Sequence, residues 1–151
     1  MREHYEVRVA IEELIVRRAA SGAGDRVALR RLRAQWQRLE AEDATAVLAG
    51  ADFVVSDEAF HTGLATAAGN DAAARLLDDV NARIRILRIH DFTTDDRIGA
   101  TITEHLEILA GVVSRDPDAA AAFMRAHVQR SALVVRERVG SALARMFELP
   151  G

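Results

Sequence analysis

Cysteine is absent from the 151-residue sequence, prolines number two and glycines nine, and aromatic residues make up 5% of the chain. Without cysteine there is no disulfide framework, no Cys-based zinc site, no iron-sulfur cluster and no Cys nucleophile, which fits a reducing compartment. So little Gly and Pro excludes collagen-like, linker-like and turn-rich all-β compositions. Both prolines, Pro117 and Pro150, fall late, so most of the chain runs without the residue that most reliably breaks a helix. The start, Met1-Arg2-Glu3-His4, opens into a charged amphipathic segment rather than a signal peptide, and no apolar run approaches the roughly 18 residues that span a bilayer. An excess of one charge is also missing: 20 basic against 23 acidic residues leave a formal net charge of -3. A free-standing nucleic-acid binder carries a basic excess, so this polypeptide is expected to bind neither DNA nor membrane by itself, and to reside in the cytoplasm.

What the sequence does have is apolar residues, half of the total, recurring every three or four positions. That period marks helices burying one stripe, and the length suits one core. The first helix is expected from about Glu3 to Ala20, with Val7, Ile11, Leu14 and Ile15 inward, and it is broken by Ser21-Gly22-Ala23-Gly24-Asp25. A second, from about Arg26 to Ala41, carries Leu29, Leu32, Trp36 and Leu39, with an Arg-rich solvated face. A weaker, short helical signal lies between Glu42 and Ala51. A third helix runs from about Asp52 to Ala68 and is closed by Gly69-Asn70; a fourth, from about Asp71 to His90, buries Ala73, Leu77, Val80, Ile84 and Leu87. The polar run from Thr93 to Asp96 caps a fifth, which reaches about Ser114. Asp116-Pro117-Asp118 starts the last, which reaches about Phe147. The expected fold is all-α, an antiparallel bundle of six to seven helices.

Five histidines are present, and the stripes separate them. His105 follows Ile98 and Ile102 on the inward face of its helix, and His127 follows Phe123 and Met124. Asp57 and His61 stand one turn apart on a face continued by Leu64 and Ala68. A lone inward histidine is usually a hydrogen-bonded core residue. Three of them, with a carboxylate and drawn from three helices, need partners that one divalent cation satisfies together. Histidine and carboxylate ligands without sulfur suit Zn, Ni, Co, Mn or Fe, zinc being the leading candidate. Four protein ligands on a six-coordinate ion leave open positions at which a small carboxylate or hydroxy acid can bind.

The residues Asp57-Glu58-Ala59-Phe60-His61, then Leu64, Ala68, Gly69 and Asn70, then Glu104-His105, then Met124-Arg125-Ala126-His127, form an ordered set. It resembles the FCD domain, the C-terminal effector-binding domain of FadR-subfamily GntR transcription regulators. The resemblance extends over almost the whole chain, starting at Tyr5-Glu6-Val7-Arg8. It implies that Asp57, His61, His105 and His127 hold a divalent metal in the bundle, with a carboxylate effector beside or on it. It also implies that Arg8, on the first helix, faces that effector, a role its planar charged fork suits. The competing expectation for Arg8 is an exposed ion pair with Glu12. Asn81 and Arg88, at the edge of the fourth helix's stripe, can line the cavity as effector contacts, although a surface position is the plainer reading. The sequence begins where such an effector domain begins. Residues 1–151 are therefore expected to form one domain that senses effector without being an enzyme, acts within a homodimer, and reaches DNA only through a winged-helix domain absent from these residues.

Three other readings compete. His90-Asp91 resembles the dipeptide of helical metal-dependent phosphohydrolases, but leaves His105 and His127 without a role. A di-iron carboxylate bundle needs two Glu-x-x-His units; Glu58 to His61 is one, but Ile102 and Met124 stand where the second requires Glu. A metal-free helical interaction module would leave the histidines merely hydrogen-bonded.

Overall fold

The structure, a computed structural model, describes residues 1–42, 51–89, 91–92 and 94–147. Six α-helices account for nearly all of these: α1 (Arg2–Arg18), α2 (Arg26–Ala41), α3 (Ala51–Ala67), α4 (Asp71–Arg88), α5 (Asp95–Val113) and α6 (Pro117–Phe147). The all-α expectation is met. The short helical segment expected between Glu42 and Ala51 lies outside the described residues.

Several local signals act where the sequence places them, although Thr94, at the N-cap of α5, makes no side-chain cap hydrogen bond. Asp25 caps α2 by accepting from the amides of Val27 and Ala28 at 2.8 and 3.1 Å. Gly69 closes α3 at φ +69°, a conformation that disfavours any residue with a Cβ, and Asn70 caps α4 through the Ala73 amide. Pro117 opens α6 where a missing amide hydrogen matters little, and the Asp116 carboxylate accepts from the Ala119 amide.

Cross-helix pairs fix the directions. Tyr5 meets Ser131, Glu13 meets Arg125 and Arg17 meets Asp118, so α1 runs antiparallel to α6. Arg88 reaches Asp57, Arg85 reaches Glu58 and Asp78 accepts from Thr62, so α3 and α4 are antiparallel too. α5 packs on α6 and on α2. At the first of these contacts Gly111 lets the helices close in, since a Cβ there would stand 2.9 Å from the Ala120 backbone.

One expectation about α1 is corrected. Val7 and Leu14 are exposed, at 49% and 55%, and the inward face is formed by Tyr5, Arg8, Glu12, Ile15 and Val16. Two charged residues thus occupy positions on the buried side. Periodicity of apolar residues alone selects a neighbouring stripe in such a helix, because inward charges do not register in it.

Candidate metal centre

Helical spacing builds the centre. On α3, Asp57 and His61 stand one turn apart and point the same way; His105 comes from the middle of α5 and His127 from α6. All four are 0–1% exposed, and each offers an atom within 4.8 Å of the others'. The His127 Nε2 lies 3.4 Å from the His105 Nε2 and 3.3 Å from the His61 Nε2. The Asp57 carboxylate lies 3.3 Å from the His105 Nε2 and 3.5 Å from the His61 Nε2. Two nitrogens held on one ion at about 2.1 Å stand roughly 3.0–3.4 Å apart across right or tetrahedral angles, and the closest spacings here match that.

The outer partners strengthen the argument. The His61 Nδ1 faces Glu12 and the His127 Nδ1 lies 2.7 Å from Glu104, so each ring engages its carboxylate on the far side and turns Nε2 inward. In their neutral form, rings held this way aim lone pairs at one another and at an anionic carboxylate. A cation reconciles such a set of acceptors; a further hydrogen-bond acceptor would not. His105 is placed differently, by packing. Its ring stacks on Phe60, with centroids 3.7 Å apart and planes 5° apart, and meets the edge of Trp36.

Charge shapes the same picture. Burial alone would raise the Asp57 carboxyl, but the Arg88 guanidinium and the neighbouring histidines outweigh it and hold the pKa well below the usual range. Glu12 is likewise held at about 2 despite burial, chiefly by Arg8 and His61. Burial drives His105 down to about 3 and lowers His127, so both present neutral rings at neutral pH. His61 moves the other way: Glu12 and Asp57 together outweigh its burial and raise it.

The three remaining residues singled out from sequence also lie inside. Arg8 does pair with Glu12, Nε to Oε1 at 2.6 Å, but the pair is buried rather than exposed, and its Nη1 and Nη2 have no partner among the described residues. The surface reading of Asn81 and Arg88 is overturned, since both are at most 1% exposed. Arg88 donates to Asp57 through Nη2 and leaves Nε without a hydrogen-bond partner, while neither atom of the Asn81 amide is engaged. Glu12 and Glu104 were not distinguished by sequence reasoning. Glu12 carried one usable signal, its place one turn after Arg8; Glu104 carried only its adjacency to His105.

Asp91 belongs to a separate network. It accepts from Arg97 at 2.9 Å and from Ser131 at 2.6 Å, and Ser131 lies 3.4 Å from the Tyr5 hydroxyl. His90 lies outside the described residues, and Asp91 is not in the metal-competent group, so the His-Asp reading gains no support here. A surface groove of about 620 Å³ runs between α1 and α6 rather than over the four candidate ligands. Tyr5 lines it and turns its hydroxyl towards the Asp91 network.

A family model described as the FCD domain matches residues 3–130. The chain belongs to the FCD domain family. FCD is the C-terminal effector-binding domain of GntR-family regulators. No curated protein sequence matches the chain significantly. Within this FCD domain the buried Asp57, His61, His105 and His127 can hold a metal ion.

The carboxylates behind the ligands give a test of that geometry. Glu12→Gln and Glu104→Gln are each expected to weaken divalent-metal binding about 10–100-fold, because each removes the charge that orients one ring and raises its basicity. Zinc titration against a competing chelator measures this. Wild-type affinity in both variants would show that these carboxylates do not support the ligands.

Proposed function

We propose that this FCD domain is the sensing half of a GntR-type transcription regulator of the FadR subfamily. It binds a divalent metal, zinc foremost, through Asp57, His61, His105 and His127, and a small carboxylate or hydroxy-acid effector beside it. The observation that carries the reading is the convergence of four buried metal-competent side chains, with buried donors of unused hydrogen-bonding capacity on α1 and α4. The metal supplies positive charge and an open position for an anion. The residues of the chain do the rest: Asp57 and three imidazoles hold the ion, Glu12 and Glu104 orient two of the rings, and Arg8, Asn81 and Arg88 accept the effector's carboxylate.

No covalent chemistry is assigned; the domain acts by binding. Effector binding shifts the relative placement of the helices, and hence of winged-helix domains attached to a cytoplasmic homodimer. In support, among the described residues no helix is long and apolar enough to cross a membrane. The test is thermal melting with lactate and citrate, on metal-loaded and metal-free protein. A rise in Tm confined to the loaded form is expected. Stabilisation by neutral ligands alone would overturn the carboxylate assignment.

A further inference from the structure

The charges around the centre pair off one to one. Besides Arg8 with Glu12 and Arg88 with Asp57, Arg85 makes a two-pronged contact to Glu58, Arg130 donates to Glu104, and Arg97 donates to Asp91. Five carboxylates thus meet five arginines. All five carboxylates and three of the arginines are buried, while Arg85 and Arg130 keep about half of their side chains exposed. With the three imidazoles neutral, as a histidine must be at the nitrogen that binds a cation, these pairs leave the loaded interior electrically balanced apart from the ion itself.

A divalent ion held by Asp57 and the three histidines would therefore add two positive charges that no group among the described residues offsets. Uncompensated charge in a buried site is costly, and among the described residues no further buried carboxylate is present to relieve it. The unused hydrogen-bonding atoms point to the same conclusion. Two guanidinium nitrogens of Arg8, the Nε and Nη1 of Arg88 and the Asn81 amide nitrogen are buried without a hydrogen-bond acceptor among the described residues. These are donors drawn from two helices, α1 and α4, and one carboxylate group cannot engage all of them.

We infer that the metal-loaded centre is matched to a dianion, namely a small dicarboxylate. Its two negative charges offset the ion's, and its four oxygens accept from the donors on Arg8, Asn81 and Arg88. This rests on the metal and carboxylate reading above and narrows it from carboxylates in general to those carrying two charges.

The experiment is calorimetric titration of zinc-loaded and zinc-free protein with malonate, succinate and glutarate, each against the monocarboxylate of equal carbon number: propionate, butyrate and pentanoate. At the best-fitting length the dicarboxylate is expected to bind the zinc form about tenfold or more tighter, a difference of about 1.4 kcal/mol or more. The preference should disappear in the zinc-free form, which lacks the ion's two charges. Monocarboxylates that match or exceed dicarboxylates at every length would overturn the inference and leave the broader reading standing. Failure of every acid to bind the zinc form would overturn both, and failure to load zinc would remove the metal centre itself.

Discussion

His105→Ala should lower divalent-metal affinity about 100-fold or more, beyond the effect of losing an outer carboxylate, while leaving a folded bundle. The imidazole is fully buried, and its Nε2 lies within 3.4 Å of both the His127 Nε2 and the Asp57 carboxylate. Three remaining ligands cannot enclose the ion in the same way. His105 is also the informative position because its orientation comes from Phe60 and Trp36 rather than from a carboxylate, so the substitution strands no charge. What it leaves is a cavity beside two aromatic rings, with an expected stability loss of about 2–4 kcal/mol. Metal content by elemental analysis, together with helicity by circular dichroism, separates the two effects. Unchanged metal content in a folded variant would remove His105 from the ligand set.

Arg88→Ala should be the most damaging substitution in the metal-free protein, at about 3–5 kcal/mol. Arg88 and Asp57 are both 0% exposed, and Arg88 also stands 3.7 Å from Glu58. Truncating the guanidinium leaves Asp57 as a buried carboxylate facing mainly neutral rings. The ion, held by that same carboxylate, can take over its neutralisation, so zinc is expected to restore much of the loss. Denaturant unfolding with and without zinc measures this. A loss below about 1 kcal/mol, or no rescue by zinc, would contradict the placement of Arg88 against the ligand.

Much of this was legible in the sequence, and the reasons differ from element to element. The helices could be read because their caps and breaks are local: Asp25, Gly69, Asn70 and Pro117 act on amides and dihedrals within a few residues. The four candidate ligands could be read because each sits on an apolar stripe, where an imidazole or carboxylate is conspicuous. The inward face of α1 could not be read the same way. Arg8 and Glu12 sit at helical spacing for an ion pair, and that spacing is the same whether the pair faces solvent or the core. Only the tertiary placement, with Glu12 against His61, decides. Asn81 and Arg88 followed the same logic at the edge of the α4 stripe. The pairing of Glu104 with His127 crosses from α5 to α6 and leaves no trace in local pattern.

The central claim is that the buried group formed by Asp57, His61, His105 and His127 is a metal centre. Metal content of the purified protein, followed by melting before and after exhaustive chelation, tests it most directly. An ion at about 1,000 times its Kd contributes about 4 kcal/mol, and for a domain of this size each kcal/mol moves Tm by about 2–4 °C. The account predicts one divalent ion per chain and a Tm lowered by roughly 10 °C once the ion is stripped, recovered when zinc is returned. Protein that carries no divalent metal, takes up none when zinc is supplied, and melts at the same temperature with and without chelator would contradict it.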